Sequence, residues 1–228
     1  MATILAIDTS SSVAAAGLLV SGNTFAAETN VERHGAQQVL GLVDEVLSQA
    51  TVSLDQVDLI VALNGPGSFT GLRIGIGAAQ GLSAALSIPT LAVSTLAFNA
   101  WRAADSAESN NIIAVLQARE DEIYFGAYSV AAAEGYELIG QEQVGQIDEL
   151  NFSEVNSIDC TNWGVIGDGK ANIESLGTHI HASIQPLDLP NTELVTDLCR
   201  LGELMQSKNN LPDEILLPNY VKEQMDYS

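Results

Sequence analysis

The stretch from Val57 to Ser87 constrains the fold more than any other. Val57–Leu63 is a short apolar run that leads directly into Asn64-Gly-Pro-Gly-Ser-Phe-Thr-Gly71, and Leu72–Ser87 then shows helical periodicity. A buried strand, a glycine-rich turn and a helix in that order point to an α/β arrangement. The helix is rich in small residues: Gly77, Gly81 and Ala85 recur at every fourth position and make a smooth stripe. Such a stripe allows a neighbouring element to approach closely, although each glycine costs about 1 kcal/mol of helix stability relative to alanine. Pro89 ends the helix, Leu91–Val93 supplies a further short strand, and Ser94 is placed to cap a helix through Arg102.

The flanking sequence extends the same pattern. Thr3–Asp8, Val13–Val20 and Asn23–Thr29 read as three strands, with Ser21-Gly22 as a turn, and the first is central because it is apolar on both faces. Ala36–Ala50 is an amphipathic helix with Val39, Leu40, Val43, Val46, Leu47 and Ala50 on one side. Ala103–Asn111 is small and polar, the best linker candidate. Beyond it come strands at Ile112–Ala118, Glu122–Val130 and Tyr136–Val144, a helix near Asp148, and a strand at Trp163–Gly169 entering a Gly-Asp-Gly turn. A last helix spans Thr192–Ser207. The expectation is an α/β protein of two subdomains, 1–103 and 104–228, with the last helix able to pack back on the first subdomain.

Composition narrows the function. The 228 residues are 46% hydrophobic, enough for a full core, and the net charge is −21. Through residue 100 there are 2 basic and 7 acidic residues, and beyond it 6 and 22. Such a surface repels phosphate backbones and lacks a basic stripe, so direct DNA or RNA binding by the chain alone is not expected; the same acidity also serves solubility. Two cysteines, Cys160 and Cys199, with no CxxC pair, suit two ordinary half-buried thiols in a reducing cytoplasm. The first residues carry no basic n-region and no apolar run reaches about 18 residues, so neither secretion nor membrane spanning is expected.

Two turns carry the chemistry. Asp8-Thr-Ser-Ser11 closes a central strand, where a carboxylate, hydroxyls and free N–H groups hold magnesium and phosphate, or where the aspartate simply caps the turn. Gly65-Pro-Gly-Ser-Phe-Thr-Gly71 opens a helix, and its N–H groups form an anion site or only a tight strand-to-helix turn. It is neither a Walker loop, having no Lys-Ser/Thr pair, nor a dinucleotide fingerprint, having Thr70 where the third glycine belongs. The candidate anion-binding set is therefore Asp8, Thr9, Ser10, Gly67, Ser68 and Arg73, the last positioned for a phosphate or for an acidic neighbour. Gly167-Asp-Gly-Lys170 is a weaker turn of the same type. His34 stands alone, while His179 and His181 alternate along an expected short strand. No His-x-x-x-His pair and no Gly-x-Ser-x-Gly elbow occur, and Glu120-Asp121-Glu122 suits a solvated hairpin, so no catalytic constellation and no metal ligands emerge.

Taken together, Ile4-Leu-Ala-Ile-Asp-Thr-Ser10, Glu32-Arg-His34, Gly65–Gly77, Ala79-Gln-Gly-Leu82 and Val93-Ser-Thr-Leu96 resemble the TsaB (YeaZ) family, closely over residues 3–102. Gln117-Ala-Arg119 and Glu122-Ile-Tyr124 are the clearest shared fragments beyond. The resemblance implies an actin-like fold of the Hsp70 and sugar-kinase (ASKHA) superfamily, whose members place a glycine where this chain has Thr9. It implies a non-catalytic subunit that scaffolds and activates the related TsaD, alongside the ATPase TsaE. The complex transfers threonylcarbamoyl from its adenylate to the adenosine beside the anticodon of tRNAs reading codons that begin with A. On this reading the chain has no cofactor of its own, the complex uses ATP and magnesium, tRNA is met only through the complex, and the location is cytoplasmic. Family pairing through the two long N-terminal helices points here to Val39, Leu40, Val43, Leu47, Leu72, Gly77, Gly81 and Ala85 as partner-binding residues, and to a homodimer in the absence of TsaD. The competing readings are an ATP-dependent phosphotransferase of the same superfamily and, more weakly, a metallopeptidase.

Overall fold

Ile4–Asp8 (β1) is buried at every position, which is why its sequence shows no polar alternation. It pairs antiparallel with Val13–Val20 (β2) and parallel with Leu59–Gly65 (β4). Asn23–Asn30 (β3) adds antiparallel to β2, and Thr90–Ser94 (β5) parallel to β4, giving the order β3-β2-β1-β4-β5 with β1 at the centre. The two-residue period of the strands divides the core. Leu5, Ile7, Ile60 and Ala62 share a cluster with Val39, Val43, Val46 and Leu47 of Gly35–Ala50 (α1) and with Leu72, Ile76 and Ala79 of Phe69–Leu86 (α2). The opposite face, with Ile4 and Val61, meets Leu194–Ser207 (α6).

The computed structural model describes residues 2–30, 35–168, 170–208, 216–219 and 221, so the Glu32-Arg-His34 motif lies outside the described residues. The chain divides into two compact units, Met1–Thr95 with Asn191–Asn219, and Leu96–Pro190. α6 belongs to the first because it lies on β1, β2 and β4. The division falls ahead of Thr95–Ala103 (α3) in place of 103/104: Leu96, Ala97, Ala100 and Ala103 bury against Ile112, Ala114, Tyr128 and Ile166 of the second unit. Ala103–Asn111 is correspondingly a short 3-10 turn at Ala104–Ser106 within that unit, and not a linker between the two.

The second unit repeats the topology of the first. Asn111–Gln117 (β6) is central, antiparallel to Glu122–Ala131 (β7), which is antiparallel to Gly135–Gln146 (β8). On its other side β6 runs parallel to Asn162–Gly167 (β9), and β9 to Ser183–Pro186 (β10), so the order is β10-β9-β6-β7-β8. Two antiparallel steps and two parallel steps surround the first strand in both units. Ser153–Ser157 (α4) and Lys170–Leu176 (α5) are short, and the helix expected near Asp148 is a 3-10 turn at Ile147–Glu149 followed by α4.

Candidate functional site

The two motif turns of the first unit are in contact. α2 begins at Phe69, three residues before the periodic stretch, because Ser68 is its N-cap and its Oγ accepts from Gly71 N at 3.3 Å. Ser68 N in turn donates to Ser10 O at 2.7 Å, tying the glycine turn to the β1–β2 turn. Thr9 is 3% exposed, and its hydroxyl donates to Gly71 O at 2.7 Å. A Cβ on Gly71 would lie 2.0 Å from Thr9 O, and one on Gly75 would lie 2.2 Å from Thr9 Oγ1. Gly71 and Gly75 therefore exist so that α2 can press on the Thr9 turn. Their spacing of four was visible in the sequence beside the Gly77, Gly81 and Ala85 stripe, but only burial distinguishes the inward pair from the outward stripe.

Asp8 lies at the C-terminal end of β1, 4% exposed, and accepts from Ser10 N at 2.8 Å. Burial raises its pKa above the ordinary carboxylate value, opposed in part by the Ser10 and Thr9 hydrogen bonds. A folded-state pKa above the unfolded one stabilises at pH below about 4, and that contribution is lost as pH rises. Asp8→Asn, which retains an acceptor for Ser10 N, is expected to melt higher than the parent by a few degrees near pH 7, with the difference shrinking to zero toward pH 4. Thermal melts across that range check it; a constant difference would mean Asp8 does not titrate out of line.

Arg73, the basic member of the candidate anion-binding set, points along its own helix. Its guanidinium lies 3.3 Å from the Phe69 ring centroid and Nη1 donates to Phe69 O at 3.3 Å. In the second unit Asp168 Oδ1 accepts from Gln117 N at 2.6 Å, which ties the residue after β9 to the last residue of β6. The Lys170 side chain lies outside the described residues.

The histidines do not share a strand. Residues 179–181 form a bend before β10, because Leu176 O accepts from both His179 N and Ile180 N at the end of α5. His179 stacks on Phe152 with centroids 5.3 Å apart and its Nε2 lies 3.2 Å from Asp148 Oδ1. Cys199 is fully buried, which pushes its thiol up to about 12, so it is more enclosed than the half-buried thiol expected.

The expected partner-binding set separates in two. Val39, Val43, Leu47 and Leu72 are at most 7% exposed and belong to the unit's own core, because each points from its helix to the sheet. Leu40 is 44% exposed, and Gly77, Gly81 and Ala85 are exposed as well, with open space beyond Cα at both glycines. α1 and α2 pack side by side, so Leu40 and the small stripe lie on a helix pair whose inner side is core and whose outer side is uncovered. Among the described residues no helix is long and apolar enough to cross a membrane.

The family TsaD, described as tRNA N6-adenosine threonylcarbamoyltransferase, matches residues 27–202. A Haemophilus influenzae protein named tRNA threonylcarbamoyladenosine biosynthesis protein TsaB is 36% identical over 123 residues, 54% of this chain and 52% of that protein. The chain spans about half the length of the curated relatives it matches. The solved structure of YeaZ from Pseudomonas aeruginosa superposes with a TM-score of 0.76 at 32% identity, over 96% of this chain and 100% of that one. A ROK hexokinase from Thermus thermophilus shares the fold alone, with a TM-score of 0.53 at 12% identity over 87% of this chain and 98% of that one.

Proposed function

The chain belongs to the TsaB (YeaZ) family, and from that premise we propose that it is a non-catalytic scaffolding and activating subunit for TsaD. The reaction served is transfer of threonylcarbamoyl from its adenylate to the adenosine beside the anticodon. The observation that supports this reading best is the uncovered outer strip of the α1–α2 pair, with Leu40, Gly77, Gly81 and Ala85 exposed. Small residues on α2 let a partner helix approach to the lower end of the usual 8–10 Å axis separation, where dispersion contacts are densest. A stable complex on such a face buries on the order of 1,200–2,000 Å². The same strip supports self-pairing when the partner is absent.

The turns support an accessory role as well. The two amides that a phosphate between them would use are engaged: Ser10 N on Asp8, and Ser68 N on Ser10 O. Thr9 fills the space against α2 that a glycine would leave open. On this reading ATP and magnesium belong to the complex, with TsaE as its ATPase, and tRNA is met through the complex.

The test is reconstitution of threonylcarbamoyl transfer to tRNA with TsaD and TsaE of the same source, with modified adenosine counted by mass spectrometry. Modification is expected to require this chain and to vanish without TsaD. Full transfer in its absence, or ATP turnover by the isolated chain, overturns the accessory reading, the second in favour of a phosphotransferase.

A further inference from the structure

The segment Leu216–Asn219 follows α6 in the chain and is fastened beside α2. Gln80 Nε2 donates to Leu216 O at 2.6 Å, Asn64 Nδ2 to Leu217 O at 3.1 Å, and Asn219 N to Asn64 O at 2.8 Å. Leu216 is 1% exposed and packs into the α1–α2 core. The next residue, Leu217, is 60% exposed. Bonds on both sides of it hold the backbone, so its outward direction is imposed and much of the ordering entropy of the segment is already lost.

Its location gives that exposure a context. Gln80 flanks the exposed strip of α2, three residues from Gly77 and one from Gly81. Among the described residues, the exposed large apolar side chains of the first unit are Leu40 on α1, Phe69 and Leu86 on α2, and Leu217 on this strap. Scattered exposed leucines need no explanation. Here all four fall on the α1–α2 pair or on the segment fastened to it, and none on β3 or α6. A strap needed only to seal the core would require Leu216 and the three hydrogen bonds, and a polar residue would serve at 217.

We propose that Leu217, held outward by the Asn64 and Gln80 hydrogen bonds, is an apolar anchor of the partner-docking face, inserting into an apolar socket on the partner. The inference rests on the reading that the α1–α2 strip binds the TsaD subunit, and it extends that face by one pre-ordered element on the Gln80 flank of α2. Buried apolar anchors of this kind carry a large share of interface energy.

The experiment is calorimetric titration of the full chain with TsaD of the same source, using Leu217→Ser, Leu217→Met, Gly81→Arg and, as an exposed apolar control in the second unit, Leu189→Ser. Leu217→Ser introduces no charge and is expected to leave the melting temperature unchanged while weakening binding at least tenfold. Leu217→Met and Leu189→Ser should bind within about twofold of the parent. If Leu217→Ser binds like the parent while Gly81→Arg abolishes binding, the anchor is overturned and the docking face stands. If neither variant weakens binding, both fall. If Leu217→Ser lowers the melting temperature by as much as Leu216→Ser, position 217 is structural and the anchor is likewise overturned.

Discussion

Gly71→Ala is expected to lower the melting temperature of the chain by roughly 5–10 °C, although alanine is the better helix former. The added Cβ would lie 2.0 Å from Thr9 O, a backbone atom in the turn that β1 and β2 both hold, so α2 must move. Overpacking of this kind costs about 3 kcal/mol or more, against about 1 kcal/mol gained in helix propensity. Gly75→Ala meets Thr9 Oγ1 at 2.2 Å, whereas the Thr9 carbons stay at 3.4 Å. Thr9→Ala should therefore rescue Gly75→Ala in a double-mutant cycle and leave Gly71→Ala unrelieved. Gly77→Ala and Gly81→Ala, whose Cβ atoms meet nothing within 4 Å, should each raise stability by about 0.5–1 kcal/mol. Melts of the four single variants separate the inward glycines from the outward ones. Equal melting temperatures for Gly71→Ala and the parent would mean that α2 does not press on the turn.

That contrast also marks how far the sequence could be read. The strand–turn–helix order, the central place of β1 and the two α/β halves were legible, because apolar runs of five to eight residues and a helical period survive in the sequence whatever packs on them. The duplication was not. β3-β2-β1-β4-β5 and β8-β7-β6-β9-β10 are the same arrangement, yet topology is set by which backbones pair, and no repeat of side chains is required for that. The boundary between units was misplaced because Ala103–Asn111 has the composition of a linker, while the contacts that assign α3 to the second unit are long-range ones by Leu96 and Ala100. The histidine strand failed for a local reason: alternation over three residues, His179-Ile180-His181, cannot be told from a helix end followed by a bend. Within the site, the nature of the residues was legible and their direction was not. An aspartate and a glycine turn at two strand ends were recognised, but not that Thr9 joins them through Gly71.

Direction matters most on the helix pair, where the last prediction lies. Val43 and Gly81 both stand in the partner-binding set that the family resemblance implied, and a charged substitution at either should abolish binding to TsaD, but for different reasons. Val43 is 2% exposed among Ile7, Ile60 and Val46, so Val43→Glu places an unpaired carboxylate in the core and costs several kcal/mol, of the order of 3–5. A chain of ordinary stability, about 5–15 kcal/mol, is then partly or wholly unfolded, and loss of binding reports the fold and nothing about the interface. Gly81 is exposed with open space beyond its Cα, so Gly81→Arg should melt at or slightly above the parent temperature. If a partner helix approaches the strip at the separation that glycine permits, the arginine side chain cannot be accommodated without parting the helices, and affinity should fall by about 100-fold or more, close to 3 kcal/mol. Paired melts and titrations distinguish the two. Parent affinity for a folded Gly81→Arg chain would remove the outer strip of α2 from the interface, whereas a folded Val43→Glu chain that still binds would mean that α1 does not bury this residue against the sheet.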